Sequence, residues 1–168
     1  MIIIVEGIDR VGKTTLCNIL SKKFNLPIYK HIGDFEYSRM DNDNETDKFL
    51  QILEICRLSE TYIIFDRFHL TDYIYGVLGR NYSIDKALKN FVQIEEFLNK
   101  MSDGVILIFM QPTDLERSSK EHGSDLSKHN AMFFDLYKIS KIKNKFQCSY
   151  NTMNEAIEYI QTVISKNI

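Results

Sequence analysis

Eight residues near the start of the chain, Gly7 to Thr14, fit the pattern G-x-x-x-x-G-K-[ST]. Its glycines allow backbone turns that are closed to other residues, so successive amide groups can surround a polyphosphate where the next helix starts. The pattern stands in the context that it requires, after the apolar run Met1–Val5 and before a helical segment, Thr14–Phe24. A strand, this loop and a helix in succession restrict the chain to an α/β fold with a phosphate-binding edge.

Four side chains of this loop carry specific chemistry. Lys13 supplies a mobile positive charge for β- and γ-phosphate oxygens, and the Thr14 hydroxyl can bind the Mg²⁺ that accompanies them. Arg10 is unexpected, because this position of the loop does not require a long cation; it could fold over a transferred phosphoryl group as an arginine finger does. Asp9 could pair with Arg10 or accept a hydrogen bond from the sugar of an acceptor.

Composition narrows the class of protein. The chain has 168 residues, enough for one domain, and its net charge of −2 comes without a dense basic run, which argues against nucleic-acid binding. Its longest apolar run, Val105–Met110, is too short to cross a membrane, and Met1 starts the first strand without a signal peptide. Cys17, Cys56 and Cys148 are widely spaced, which favours reduced, buried thiols in a cytoplasmic protein.

Beyond the loop, short apolar runs alternate with amphipathic segments, and we find neither an internal repeat nor a linker. The apolar runs predict five strands, at Met1–Val5, Ile28–His31, Tyr62–Phe65, Val105–Met110 and Phe146–Ser149. Helical patterns occupy Thr14–Phe24, Asp47–Arg57, Leu70–Leu78, the segment from the cap Ser83 to Met101, a short helix opened by a Thr113–Glu116 capping box, Lys128–Lys141, and a last helix opened by Thr152 and Glu155. The alternation predicts a single α/β domain, residues 1–168, with a five-stranded parallel sheet covered by helices on both faces.

Polar residues follow several of these strands, at the edge where ligands of such sheets bind. Asp66 ends the third strand and could hold Mg²⁺ together with Thr14, or it could cap the following helix. Arg67 has the planar fork that suits a phosphate, or it could form an ion pair with Asp66 or Glu6. The acidic segment 32–46 after the second strand is either a functional loop or a solvated one.

The segment 112–128 follows the fourth strand and is basic and hinged. Arg117, Lys120, His122 and Lys128 lie on either side of a Gly-Ser break. These features predict a lid that closes over a polyphosphate and excludes water, although charged helical faces of this kind are often only solvated.

Two motifs give the chain a family resemblance. The run Glu6–Thr15, together with Asp66-Arg67-Phe68, resembles the thymidylate kinase family within the P-loop nucleoside monophosphate and deoxynucleoside kinases. The resemblance is to the class that carries its catalytic arginine in the P-loop, and it implies a single-domain P-loop kinase fold. The chain is compact for that family, which would suit a virus or phage acting in a host cytoplasm. The resemblance also implies pairing of two copies through a helix beside the sheet, where the stripe Leu88–Met101 could serve as interface and as core.

The resemblance also implies roles on the acceptor side. Asp9 would contact the 3′-hydroxyl of a deoxyribose, Arg67 would hold the acceptor phosphate, and Arg10 would bridge the two phosphates. Thr71 stands where the family has a small hydroxyl facing the base, and Tyr75 where an aromatic ring packs against C2′.

The region between the second strand and Asp66 is shorter than in the family. Phe49 and Arg57 are therefore the residues available to stack on the base and read its edge, with Phe68 beside the acceptor and Cys148–Met153 bordering the donor adenine.

Together these features predict a kinase that transfers the γ-phosphoryl group of ATP, with Mg²⁺, to a deoxynucleoside monophosphate such as dTMP, giving dTDP. A deoxynucleoside kinase that uses Asp34 or Glu36 as a base is the alternative, and a nucleotide-binding regulatory module with little turnover is another. The partners would then be small nucleotides. The residues predicted to bind ATP are Gly7, Ile8, Asp9, Arg10, Val11, Gly12, Lys13, Thr14 and Thr15.

Overall fold

The computed structural model describes residues 1–30, 42–80 and 82–166, and for residues 42–45 and 102 it describes only the backbone. These residues contain five strands: β1 (Ile2–Glu6), β2 (Ile28–Lys30), β3 (Ile63–Asp66), β4 (Val105–Gln111) and β5 (Asn144–Ser149). All pairings are parallel, and the strand order is β2-β3-β1-β4-β5. The predicted five-stranded parallel sheet is therefore confirmed.

Seven α-helices connect or flank these strands in the described part of the chain. They are α1 (Lys13–Phe24), α2 (Asn42–Leu58), α3 (His69–Gly79), α4 (Ile84–Lys100), α5 (Leu115–His122), α6 (Ser127–Ile139) and α7 (Met153–Lys166). Most lie within two residues of their predicted bounds. The exception is α2, which begins five residues before the predicted Asp47, where the acidic residues of the sequence favour the N-terminal end of a helix. No helix among the described residues combines the length and apolar character needed to cross a membrane.

Helix starts show where short-range patterns mislead. The cap at Ser83 is confirmed, because its Oγ accepts a hydrogen bond from the backbone N of Lys86 at 3.3 Å. The predicted box at Thr113 is wrong by one residue: Asp114 caps α5 and accepts from the backbone N of Arg117 at 2.9 Å. Similarly, Thr152 closes a single 3₁₀ turn before α7 rather than capping that helix.

Helices cover both faces of the sheet because its central strands are apolar on both faces. Alternate residues of β1 enter different clusters, with Ile3 and Val5 facing one side and Ile2 and Ile4 the other. The first cluster contains buried residues of α1, α3, α6 and α7 together with Phe91 of α4, and the second contains buried residues of α2 together with Ile94 and Leu98 of α4. Cys17, Cys56 and Cys148 are buried free thiols, as predicted.

Gly7 shows how tightly the loop after β1 is packed. Its φ of 140° is strained for other residues, and a Cβ there would overlap the carbonyl oxygen of Met110 on β4. We expect Gly7→Ala to lower the free energy of unfolding by about 3 kcal/mol, from backbone strain and overpacking together. Urea denaturation would measure this loss. Gly104→Ala is the matched control, because a Cβ at Gly104 would meet nothing within 4 Å. Equal stability of the two variants would contradict the prediction.

Candidate active site

The carboxyl ends of β1 and β3 open into a cavity of about 340 Å³. β1 is the central strand, and Val5 pairs with Asp66 of β3, so the loop after β1 faces the end of β3. The cavity is lined by seven residues that follow these two strands and by one from the segment after β4: Asp9, Arg10, Gly12, Lys13, Thr14, Thr15, Arg67 and His122. The motif residues and the Asp66-Arg67 strand end thus meet, as the sequence predicts.

The loop has the backbone that a phosphate cradle needs. Gly7, Arg10 and Gly12 all have positive φ values, of 140°, 67° and 93°. α1 follows directly, and its N-cap is Gly12, which has no side chain that could bind the first amide groups of the helix. Its first amide groups are therefore available to an anion, at the positive end of the helix dipole.

Lys13 lies inside this loop rather than in solvent. Its side chain is 4% exposed, and Nζ donates a hydrogen bond to the carbonyl oxygen of Ile8. Burial, together with the nearby charge of Arg67, lowers the pKa of Lys13 to about 8. An ammonium group that has lost most of its hydration in this way gains strongly from an incoming phosphate.

Thr14 and Asp66 form a pair that suits Mg²⁺. Thr14 Oγ1 donates to Asp66 Oδ2 at 2.7 Å, while the other oxygen, Asp66 Oδ1, is buried without a partner in the described part of the chain. A carboxylate oxygen without a partner, next to a hydroxyl, fits the coordination of Mg²⁺. This ion takes oxygen ligands and is usually bound by one or two carboxylates together with substrate phosphates. No cluster of three or more His, Cys, Asp or Glu residues that could hold a metal is found among the described residues.

The start of α3 is occupied by Glu6, not by Asp66. The Glu6 carboxylate is fully buried, and its Oε1 accepts from the backbone N of Phe68 and of Leu70, at 2.9 and 3.0 Å. The Thr71 hydroxyl donates to the other oxygen, Oε2. Sequence reasoning missed this cap, whose only signal was an acidic residue at the end of an apolar strand. Thr71 is placed against Glu6, although the family resemblance implies that it faces a base.

Asp9 lies at the centre of a network of polar side chains in the cavity. Its Oδ1 accepts from Arg67 Nη2, and its Oδ2 lies 3.1 Å from Tyr75 Oη and 3.2 Å from His122 Nε2. Burial opposes ionisation of Asp9, but the charges of Arg67 and Lys13 and the hydrogen bonds from Arg67 and Tyr75 hold its pKa below the ordinary value. Asp9 is therefore an anion. Arg67 pairs with Asp9, and not with Asp66 or Glu6 as considered from the sequence. The pairing of Asp9 with Arg10, also considered, is not found either.

Two arginines reach this cavity on strained backbone. Arg67 has a φ of 75°, and its backbone N donates to the carbonyl oxygen of Val5 at 3.1 Å. Arg10 also has positive φ, and its side chain is exposed at the cavity. Positive φ costs free energy outside glycine, and such strain concentrates at functional sites.

The predicted lid, segment 112–128, contains α5, a turn at Gly123 and the first two residues of α6. Arg117 pairs with Glu121 and Lys120 pairs with Glu116 along α5, so these two cations follow the solvated interpretation. His122 alone of the basic residues named for this segment lines the described cavity.

The residues implied for the base do not meet in this cavity. Phe49 and Phe68 are 2% and 0% exposed, and their ring centroids lie 4.6 Å apart in the core. Arg57 is exposed and pairs with Glu54. Asp34, Glu36 and most of the acidic segment lie outside the described residues.

The segment implied for the donor adenine does border the loop. A Cβ on Gly12 would lie 2.8 Å from both the Tyr150 ring and the Met153 methyl group. Tyr150 is 57% exposed, so its ring offers an accessible surface next to the phosphate cradle.

Comparison with known proteins identifies the fold. No protein-family model and no curated protein matches the chain. Among solved structures, YorR from Bacillus subtilis in complex with phosphorylated GDP matches with a TM-score of 0.69 and 20% identity, over 98% of this chain and 96% of that one. Deoxyadenosine kinase from M. mycoides, with the products dCMP and dCDP, matches with a TM-score of 0.52 and 19% identity over the full length of both chains. NadR in complex with NAD and AMP-PNP matches with a TM-score of 0.55 and 14% identity, over 96% of this chain and 49% of that one.

At these identities the matches show the fold, which is that of the P-loop kinases. The structural relatives include nucleotide-binding proteins and a nucleoside kinase. The closer resemblance to thymidylate kinases stays a prediction.

Proposed function

We propose that this protein is an ATP- and Mg²⁺-dependent kinase whose acceptor is a nucleoside monophosphate, with dTMP or a related deoxypyrimidine monophosphate as the substrate. The observation that carries the proposal is the charge pattern of the cavity. Three cations line it, Lys13, Arg10 and Arg67, and Asp9 is the one carboxylate among its described lining residues. That carboxylate is already bound by neighbouring side chains. The cavity therefore favours an acceptor that is itself an anion.

This pattern matters because the two kinds of acceptor need different help. A phosphate is already ionised near neutral pH, so its transfer needs alignment and charge neutralisation but no base. A hydroxyl acceptor gains from a free carboxylate that takes up its proton. Asp9 is held as an anion by Arg67 and Tyr75, which makes it a weak base.

Each group of the cavity then has a part in transfer. The loop amides and Lys13 hold the β- and γ-phosphates of ATP, Arg67 holds the acceptor phosphate, and Arg10 neutralises charge between the two. Mg²⁺ held by Thr14 and Asp66 would add charge neutralisation on the donor phosphates.

The sugar preference rests on Tyr75. Its hydroxyl is 3.1 Å from Asp9 Oδ2, so its ring lies beside the carboxylate that we propose to receive the 3′-hydroxyl. A ring in that place would oppose a 2′-hydroxyl and favour deoxyribose. Burial, and then the charge of Asp9, raise the pKa of Tyr75, which stays a neutral donor.

A deoxynucleoside kinase is the second candidate. The observation that favours it is the full-length structural match to a deoxyadenosine kinase. In that case the base would come from Asp34 or Glu36, which the described residues do not include.

A coupled assay distinguishes these functions. ATP and Mg²⁺ would be offered with dTMP, dUMP, dCMP, UMP, thymidine or deoxycytidine, one at a time. We expect phosphorylation of a deoxypyrimidine monophosphate at a rate well above that of UMP. Phosphorylation of a nucleoside but of no monophosphate would support the second candidate, and ATP binding without transfer to any acceptor would indicate a regulatory module.

Arg67→Ala tests the acceptor-phosphate role. We expect the Michaelis constant of the acceptor to rise about 10- to 100-fold, because a charge-assisted hydrogen bond contributes about 1.5–3 kcal/mol, while that of ATP changes little. Initial rates at varied acceptor concentration give this value. Arg57→Ala is the matched control, since Arg57 is exposed and pairs with Glu54. An unchanged acceptor constant in Arg67→Ala would remove Arg67 from the phosphate site.

Pairing of two copies, which the family resemblance implies, also has a candidate surface. Leu88 and Val92 on α4 are 42% and 39% exposed, whereas Phe91, Ile94 and Leu98 of the same stripe are buried. Light scattering coupled to size-exclusion chromatography would give the mass, and a monomer at all concentrations would contradict the proposal.

A further inference from the structure

His122 is placed at the junction of lid and cavity. It is the last residue of α5, and the next residue, Gly123, has a φ of 82° that ends the helix. The ring reaches back to the P-loop, where Nε2 lies 3.2 Å from Asp9 Oδ2, and its other nitrogen, Nδ1, lies 2.7 Å from Ser124 Oγ. The side chain is 32% exposed and lines the cavity with Lys13.

The position of the hydrogen on this ring follows from its partner. Asp9 is ionised, and an ionised carboxylate only accepts hydrogen bonds. At 3.2 Å a nitrogen lone pair facing this carboxylate oxygen would be repelled by its charge, so Nε2 of His122 carries the hydrogen, whichever way the bond between Nδ1 and Ser124 runs. His122 thus presents an N–H donor at the cavity wall.

Asp9 can release this donor at little cost. Arg67 Nη2 binds Oδ1, and the Tyr75 hydroxyl shares Oδ2 with His122. A phosphate carries more charge than this largely neutralised carboxylate, so an N–H between the two is drawn to the phosphate. When His122 leaves, Oδ2 gains room for another donor, such as the hydroxyl of a sugar.

The two other cations of α5 are engaged within their own helix. Arg117 and Lys120 are 76% and 75% exposed, and each pairs with a glutamate of α5 one turn away. His122 is therefore the group that the described part of the lid directs at the cavity.

We propose that His122 is a catalytic residue, a hydrogen-bond donor carried by the lid that moves from Asp9 to an oxygen of the transferred phosphoryl group. The proposal rests on the proposed function, phosphoryl transfer in this cavity. By changing partner, His122 stabilises negative charge that develops on the phosphoryl group and frees Asp9 Oδ2 for the acceptor. Lid closure and acceptor binding are thereby coupled through one carboxylate oxygen.

Two variants separate a donor from a structural contact. We expect His122→Ala to lower kcat about 100-fold, the effect of one lost donor at developing charge, and to change the Michaelis constant of ATP little. His122→Gln keeps an N–H of similar reach and should recover at least 10-fold of that loss. Lys120→Ala, two residues earlier on α5 and 75% exposed, is the control and should match the unmodified protein. A wild-type kcat in His122→Ala, or no recovery in His122→Gln, would overturn the proposal.

A spectroscopic measurement tests the same movement without turnover. We expect AMP-PNP with Mg²⁺ to shift the ¹⁵N resonance of His122 Nε2, assigned by its loss in His122→Gln, because the anionic oxygen that Nε2 faces changes from Asp9 Oδ2 to a phosphate oxygen. An unchanged resonance at saturating AMP-PNP would overturn the proposal even if the variants fold poorly. If the protein phosphorylates no monophosphate but the resonance shifts, the proposed acceptor is wrong and the contact of His122 with the donor phosphate stands.

Discussion

Arg10→Ala is expected to lower kcat about 1000-fold while the dissociation constant of ATP changes by less than about threefold, since an arginine at the transferred phosphoryl group contributes mainly in the transition state. The structure gives the physical reason. Arg10 is exposed on strained backbone at the cavity, whereas Lys13 is buried within the loop. In the proposed reaction the exposed side chain of Arg10 would be free to follow the charge that moves between donor and acceptor.

Single-turnover rates and calorimetric binding of AMP-PNP would separate the two effects of this substitution. Arg10→Lys is the matched variant, because it keeps the positive charge and loses the planar fork that binds two oxygens at once. We expect it to recover only part of the lost rate. Weakened nucleotide binding with an unchanged chemical step would contradict the role of Arg10 in transfer.

The fold was predictable because its signals are local. The spacing of Gly7, Gly12 and Lys13, and the apolar runs that become β1, β3 and β4, are each read within a few residues. Parallel strands need crossover connections and end at the same edge, so the meeting of Asp66 with the loop follows from topology.

The network around Asp9 could not be predicted in the same way. Arg67 is 58 residues away in sequence, and the carboxylates that the sequence suggested for it were Asp66 and Glu6, not Asp9. Which carboxylate it meets depends on the burial of Glu6 against the start of α3 and on the hydrogen bond of Asp66 with Thr14. These are tertiary contacts with no signature at short range.

Phe49 illustrates a different source of difficulty. It was assigned to the base through family resemblance, yet Phe49, Leu53 and Cys56 recur at helical spacing on one side of α2. That periodicity predicts a core face, and the structure buries all three residues. Here the residue pattern was a better guide to placement than the family resemblance.

Lys13→Met is expected to abolish measurable transfer, with kcat reduced about 1000-fold, and at the same time to make the nucleotide-free protein more stable at neutral pH. The two effects have one cause. Lys13 is held in the loop with its ammonium group removed from water, which costs free energy until a phosphate arrives.

The lowered pKa of Lys13 determines how the cost of burying its charge changes with pH, and over which pH range. The pKa of Lys13 is lowered from 10.5 to about 8, so between these pH values the unfolded chain holds more protons than the folded one. The free energy of unfolding of the nucleotide-free protein should therefore rise as pH increases through this window. Below pH 8 the folded protein bears the whole cost of burying the charged Lys13. A pKa difference of one unit corresponds to about 1.4 kcal/mol, so this cost is about 3 kcal/mol.

Urea denaturation of the nucleotide-free protein at pH 7 and pH 9.5 would test this penalty. Other groups titrate in the same range, but they are shared by both proteins, so the difference between the unmodified protein and Lys13→Met isolates Lys13. We expect the variant to be the more stable of the two at pH 7, with the gap narrowing at pH 9.5. Lys89→Met, at an exposed position of α4, is the control and should leave the pH dependence unchanged. If Lys13→Met showed the same pH dependence as the unmodified protein, burial would not destabilise the ammonium group of Lys13 in the nucleotide-free loop. That result would contradict the prediction, and any effect of Lys13 on ATP would then come only from the position of its charge.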